Sequence, residues 1–177
     1  MVAQFKGYEI NPVHEGDAWK ICDLMIANAD RFKRYFPKTL EQNLNPTLSQ
    51  LFVEKKLNAY HNKEEFLFTI KQSESRELVG LVYIKELDWD KQQGEFAYCI
   101  GYTFEGKRLM STSIDILTNY AFETLGLKTL QIISHKDNVS SIKVAERNDF
   151  TWIKTLKKGY TPPGEQPLDM ELYERYK

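Results

Sequence analysis

Between residues 95 and 111 the chain reads Glu95-Phe96-Ala97-Tyr98-Cys99-Ile100-Gly101-Tyr102-Thr103-Phe104-Glu105-Gly106-Lys107-Arg108-Leu109-Met110-Ser111. A strand-like stretch feeds a short loop, and apolar residues at helical spacing follow. The first N–H groups of a helix have no intrahelical partner and carry the positive end of its dipole. The turn from Gly106 to Met110 therefore suits an anion, above all a phosphate or pyrophosphate. Taken alone this is a weak signal, because most glycines before a helix are only turn residues. Other reactive side chains are sparse. His14, His61 and His135, with Cys22 and Cys99, show no ligand spacing, so no metal site is expected. Cys99 lies mid-strand, where a thiol packs more often than it attacks.

The elements that must position this segment follow from periodicity. Tyr8-Glu9-Ile10 reads as a short strand. Asp17 to Ala29 reads as a helix, with Ile21, Leu24, Met25 and Ala29 at i, i+3, i+4 and i+8. Asn45 and Pro46 form a second helix start, as N-cap and first helical residue. That helix runs to about Tyr60, with Leu48, Leu51 and Phe52 on one face. Phe66 to Ile70, Leu78 to Leu87 and Glu95 to Ile100 read as strands of an antiparallel meander, with Gly80 a bulge or a close-approach point. Met110, Ile114, Leu117 and Ala121 mark a helix with one buried face, stopped by Gly126. Thr129 to Ser134 is the next strand. Strand, helix and strand make a crossover, so Glu95–Ile100 and Thr129–Ser134 are expected to be parallel. Val139 to Arg147 is a short helix that Asn148 can end in a left-handed turn. Thr151–Tyr160 and Leu168–Tyr176 close the chain as strands. This predicts a mixed α/β fold: a largely antiparallel sheet of seven strands with about four helices packed on it.

Composition sets the outer bounds. The chain has 177 residues, 24 Lys+Arg against 25 Asp+Glu, and a formal net charge of -1. That balance argues against a dedicated nucleic-acid binder, which carries a basic excess. Apolar residues make up 42% and aromatics 13%, enough for an ordered core. No run approaches the ~20 apolar residues of a spanning helix, so no membrane partner is expected. Two cysteines make no disulfide framework, and the reducing cytoplasm is the default location. Residues 1–177 are expected to form a single domain.

The segment from Glu95 resembles the acetyl-CoA signature of the GNAT superfamily of N-acetyltransferases, most closely its RimJ/RimL-type branch. The branch reads like A-E-I-G-Y-W-I, then F-E-G-K-G-I-M, then a helix ending Y-A-F-x-x-L-G-L. This chain has Glu95 to Ile100, then Phe104-Glu105-Gly106-Lys107-Arg108-Leu109-Met110, then Tyr120-Ala121-Phe122-Glu123-Thr124-Leu125-Gly126-Leu127. The following block, N-x-x-S-x-x-V-x-E-[KR]-x-G-F, meets Asn138, Ser141, Val144, Glu146, Arg147 and Phe150. A late D-x-x-x-Y meets Asp169 and Tyr173. The likeness runs in order over roughly residues 8–176.

The resemblance implies a single acetyltransferase domain, with acetyl-CoA as cosubstrate and a primary amine as acceptor, either a protein N-terminus or a small molecule. Direct transfer in a ternary complex is implied, by a monomer or homodimer. Backbone N–H groups of Glu105, Gly106, Lys107, Arg108, Leu109, Met110 and Ser111 would cradle the pyrophosphate. Tyr98, Cys99 and Ile100 would splay from Thr129–Ser134 and pair with pantetheine. Asn138 and Ser141 would flank its thiol end. Acyl transfer requires a base for the ammonium, a donor for the oxyanion and an acid for the departing thiolate. Glu95 is the base candidate, through a water, or else a solvent-facing carboxylate. Ser141 is the acid candidate, or else a helix-start hydroxyl satisfying backbone. Tyr173 is the alternative acid, and Tyr160 and Glu165 are next in line should Glu95 face solvent. Trp19, Phe32, Tyr35 and Phe36 would line an acceptor groove or belong to the core.

Several positions depart from the branch. Arg108 stands where it has a second glycine. The arginine either points to solvent from an ordinary first helical turn, adds a charge-assisted bond to a phosphate, or obstructs it. Ala97 and Asp149 also replace glycines. A glutamate that some relatives carry near Tyr160 is absent. These departures leave a non-catalytic acyl-CoA-binding protein as the alternative function.

Overall fold

The computed structural model describes residues 1–177. In chain order its elements are β1 (Ala3–Phe5), β2 (Tyr8–Pro12), α1 (Ala18–Ala27), α2 (Ala29–Phe32), α3 (Pro37–Glu41), α4 (Pro46–His61), β3 (Phe66–Gln72), β4 (Leu78–Asp88), β5 (Gln93–Ile100), α5 (Leu109–Glu123), β6 (Thr129–His135), α6 (Val139–Arg147), β7 (Thr151–Tyr160) and β8 (Leu168–Tyr176), with 3-10 turns at Glu15–Asp17 and Tyr102–Phe104. Eight strands form one sheet in the order β1-β2-β3-β4-β5-β6-β8-β7. β5 and β6 are parallel, as the crossover predicts. The β1–β2, β2–β3, β6–β8 and β8–β7 pairs are antiparallel.

The sheet thus has one strand more than the seven read from the sequence. The extra strand, β1, is three residues long, too short to display a period of two. The two additional helices, α2 and α3, span four and five residues, less than the window in which a helical period shows. No helix is long and apolar enough to cross a membrane.

The chain divides into two compact units, one of Met1–Tyr83 with Tyr98–Lys107, the other of Ile84–Ala97 with Arg108–Lys177. In the first, α1 buries Ile21, Cys22, Leu24 and Met25. The buried face of α4 is Ser49, Phe52 and Val53, while Leu48 and Leu51 are exposed, so this helix is rotated from the reading above. On that face the buried Ser49 hydroxyl donates to Asn43 Oδ1 at 2.7 Å. Asn45 caps the same helix by accepting from the Leu48 N–H. Gly80 is a close-approach point, since a Cβ there would stand 2.8 Å from the Cys99 carbonyl oxygen.

In the second unit α5 buries Met110, Ile114, Leu117 and Ala121, the stripe read from the sequence. Phe96 packs edge-on against Phe150 at 6.2 Å between ring centres. The left-handed residue after α6 is Asp149, with φ 57, rather than Asn148. Asn148 instead turns its side chain inward, donating to the Val144 carbonyl at 2.8 Å and to Ser111 Oγ at 3.2 Å.

The first unit also holds a buried ion pair. Lys71 Nζ lies 2.5 Å from Asp17 Oδ1, and both side chains are almost wholly buried. The other Asp17 oxygen accepts from the His14 N–H at 2.9 Å. Breaking one side of such a pair strands a charge away from water. Lys71→Met is therefore expected to lower the unfolding free energy by about 3–5 kcal/mol. Urea denaturation checks this. The Asp17→Asn/Lys71→Met double variant, which removes both charges and keeps the cap, should recover much of the loss.

Candidate functional site

The loop between β5 and α5 carries two left-handed residues in quick succession. Gly106 has φ 73, with nothing near the position a Cβ would take. Arg108, the N-cap of α5, has φ 59 and ψ 14. Arg108 is thus not part of an ordinary first helical turn. It takes the backbone shape of the glycine it replaces, at a steric cost for a residue with a Cβ. Its side chain is exposed and makes no capping hydrogen bond to the helix start. Its carbonyl accepts from both the N–H and the hydroxyl of Thr112, at 3.0 and 3.1 Å. The result is a helix N-terminus with no side-chain cap, flanked by Lys107 and Arg108. The Lys107 ammonium lies over the Phe104 ring at 5.1 Å.

Side chains distant in sequence brace this turn. In the first unit Arg31 reaches from α2. Its Nη1 donates to the Ile100 carbonyl at 3.2 Å and to Asn28 Oδ1 at 3.1 Å. Its Nη2 pairs with the Glu105 carboxylate. Asn28 Oδ1 also accepts from the Tyr102 N–H at 2.9 Å. In the second unit Asn148 reaches Ser111, in the first turn of α5. Sequence reasoning missed Arg31, Asn28 and Asn148 as supports of the turn. No local pattern marks them, because the Arg31 contacts span 69 and 74 residues.

The strand positions are laid out as follows. β5 and β6 pair over four residue pairs, Gln93–Phe96 with Thr129–Ile132, although β5 runs on to Ile100 and β6 to His135. Tyr98 and Ile100 are half-buried and Cys99 is buried. Burial pushes the Cys99 thiol up to about 12, against a smaller opposing effect of a Leu81 backbone hydrogen bond and the Arg31 charge. It is a thiol, not a thiolate, at neutral pH.

Glu95 is half-buried on β5, with Oε1 3.0 Å from Lys85 Nζ on β4. That partner was not foreseen. Register then fixes which face Glu95 uses. Glu95 pairs with Gln131, which pairs with Glu174, and residues in one cross-strand row share a face. The Gln131 amide bridges that row, donating to Glu174 at 2.6 Å and accepting from Gln93 at 3.3 Å. Phe96, Ile132 and Tyr173 form the next row, on the opposite face. Tyr173 is buried, and burial, followed by the charges of Glu146 and Glu171, holds its phenol above the usual range. A phenol so placed keeps its proton at neutral pH. Base and alternative acid thus occupy opposite faces of the sheet.

Asn138 is the N-cap of α6, its Oδ1 accepting from the Ser141 N–H at 3.4 Å and the Ser140 hydroxyl at 3.1 Å. Ser141, half-buried, lies in the first turn of that helix. Of the aromatic set, Tyr35 and Phe36 are half-buried. Trp19 is exposed and lines a groove of about 610 Å³ with Glu15, Pro46 and Glu54. Phe32 is buried and packs on Phe36 at 6.3 Å. His14 caps the turn before α1, and His135 is buried with its Nδ1 accepting from the Asp137 N–H.

Known proteins share this architecture. YdaF of Bacillus subtilis (strain 168), named putative ribosomal N-acetyltransferase, is 27% identical over 136 residues, 76% of this chain and 72% of YdaF. The ribosomal-protein-S5-alanine acetyltransferase from Vibrio fischeri has a TM-score of 0.92 at 16% identity, over 98% of this chain and 95% of its own. RimL, a ribosomal L7/L12 alpha-N-protein acetyltransferase solved in complex with coenzyme A, has a TM-score of 0.90 at 18% identity, over 99% and 97%. At such identities the two structures establish the fold. The acetyltransferase (GNAT) domain family matches residues 9–151, the greater part of the sequence, and the chain belongs to that family.

Proposed function

We propose that this chain transfers the acetyl group of acetyl-CoA to a primary amine, in one ternary complex and without an acyl-enzyme. Family membership supports the transfer. The observation that carries the cofactor is the start of α5, which has a glycine-type entry and no side-chain cap. There the N–H groups of Glu105 to Ser111 would hold the pyrophosphate, with Lys107 and Arg108 adding positive charge. The short β5–β6 ladder supports pairing of pantetheine with the Tyr98–Ile100 backbone. Asn138 spends its Oδ1 on the α6 cap, so its amide nitrogen is what it offers the cofactor.

In the chemical step the amine nitrogen attacks the thioester carbon, the nitrogen loses a proton and the C–S bond breaks. Glu95 would take the proton through a water, with Lys85 holding the carboxylate in place. Ser141 or Tyr173 would give a proton to the departing sulfur. Glu95 and Tyr173 on opposite faces suit an amine that arrives on one side and a thiolate that leaves on the other. The two solved structures named above are ribosomal-protein acetyltransferases, so peptides with a free α-amine head the acceptor panel, followed by small amines. Residues 1–177 would act as one catalytic domain, in the cytoplasm.

Acetyl-CoA at ~100 times its Kd is expected to raise the unfolding free energy by ~2.7 kcal/mol. Coenzyme A should be released when an amine from the panel is added. Glu95→Gln should lower kcat by ~10²–10⁴-fold with acetyl-CoA binding intact. A melt unmoved by millimolar acetyl-CoA contradicts the proposal. Binding without release against every amine selects the non-catalytic alternative.

Arg108→Gly separates backbone from side chain. The left-handed backbone favours glycine, so folding stability should rise by about 1 kcal/mol. Acetyl-CoA should bind more weakly, with less dependence on salt, because one charged contact is gone. Tighter binding by this variant would mean that Arg108 obstructs.

Direct transfer needs no reactive thiol. Cys22 and Cys99 are both buried, so iodoacetamide at pH 8 should modify neither in the native protein and both in denaturant. The pH dependence has a defined sign. A native thiol at about 12 holds its proton longer than an unfolded one at ~8.5. The Cys99 contribution to stability is present below pH ~8.5 and is lost as pH rises towards 12. Rapid native modification at pH 8 would reopen the acyl-cysteine route.

A further inference from the structure

We propose that Arg31 is a positioning residue that latches the Gly101–Glu105 loop feeding α5 and thereby sets the affinity for coenzyme A without touching it. The inference rests on the acetyl-CoA reading above and extends it to a residue outside every motif of the chain. The loop has little packing of its own: Tyr102, Thr103 and Glu105 are exposed, and Phe104 meets the Tyr8 ring edge-on at 6.5 Å. Backbone bonds hold its start and close its turn, Gly101 N–H to the Val79 carbonyl at 2.8 Å and Phe104 N–H to the Gly101 carbonyl at 3.0 Å, and one guanidinium ties its two ends together. Arg31 bonds the Ile100 carbonyl at the loop's entry and the Glu105 carboxylate at its exit. Between them its plane lies over the Tyr102 ring at 5.5 Å, and over Phe32 at 5.6 Å. Asn28 completes the latch, its Oδ1 shared between Arg31 and the Tyr102 N–H. A planar fork that bonds three acceptors while lying against two rings is an arginine function that an ammonium does not reproduce.

The charge has a second consequence. Glu105 directly precedes Gly106, so its carboxylate stands beside the place proposed for a pyrophosphate. Uncompensated, it would repel that anion. The Arg31 cation cancels it, leaving the field of the α5 N-terminus to the ligand. Arg31 thus acts by geometry, through the backbone it holds, and by charge, through the carboxylate it neutralises.

Hydrogen exchange and acetyl-CoA binding, measured on the full chain for Arg31→Gln, Arg31→Lys, Glu105→Gln and the Arg31→Gln/Glu105→Gln double variant, test both parts. Without ligand, Arg31→Gln and Arg31→Lys should speed amide exchange over residues 101–107 by about tenfold, while residues 113–121 of α5 keep wild-type protection. The Kd for acetyl-CoA should rise about tenfold in both variants, as for loss of one charged contact. Their kcat at saturating acetyl-CoA should stay near wild type, a split that general destabilisation does not produce. Glu105→Gln, whose amide oxygen can still accept from Arg31, should bind acetyl-CoA more tightly than wild type, and the double variant more tightly than Arg31→Gln; weaker binding in both overturns the charge part. Wild-type loop exchange, or wild-type acetyl-CoA affinity, in both Arg31 variants overturns the proposal. Should Arg31→Gln fail to fold, Arg31→Lys carries the same readouts. Should the unsubstituted chain fail to bind acetyl-CoA, the proposed function falls, while the exchange measurement still decides whether Arg31 latches the loop.

Discussion

The two left-handed residues Gly106 and Arg108 are the constraint on which the candidate site depends. They bring the chain into α5 with no side-chain cap on the first N–H groups of the helix. Orphan donors and the dipole's positive end together favour an anion there. Much nearby structure serves to hold that turn. Gly80 lets β4 approach the Cys99 carbonyl, Arg31 and Asn28 tie down the loop before it, and Asn148 reaches Ser111 just after it.

Two positions show that the backbone requirement outlasts the residue that serves it best. The family pattern has glycine where this chain has Arg108 and Asp149. Both keep the left-handed conformation, with φ 59 and 57. Aspartate tolerates it through local hydrogen bonding, whereas arginine gains nothing local from it. A strained arginine at the mouth of an anion site is intelligible if its charge contributes to binding, the role the proposed function gives it.

The sequence disclosed features carried by local pattern. The α5 stripe of Met110, Ile114, Leu117 and Ala121, the crossover that makes β5 and β6 parallel, and the bounds of β7 and β8 all follow from periodicity and turn residues. The motif blocks from Glu95 to Tyr173 pointed to the family. Features set by length or by distance were not legible. β1, α2 and α3 are too short to show a period. α4 turns Ser49 inward, bonded to Asn43, and leaves Leu48 and Leu51 exposed, an arrangement that a hydropathy pattern reads backwards. The partners of the turn and of Glu95 are side chains from other elements, Arg31, Asn148 and Lys85, and no spacing rule reaches them. The sequence also left Glu95 and Tyr173 as members of a single site, where cross-strand register sets them on opposite faces.

The central claim is that the start of α5 is the cofactor's phosphate seat. A crystal structure of the chain with coenzyme A tests it most directly. The account predicts pyrophosphate oxygens at hydrogen-bonding distance, ~2.7–3.2 Å, from backbone nitrogens between Glu105 and Ser111, with Gly106 and Arg108 still left-handed. Coenzyme A bound with its phosphates elsewhere, or no bound coenzyme A at saturating concentration, would contradict it.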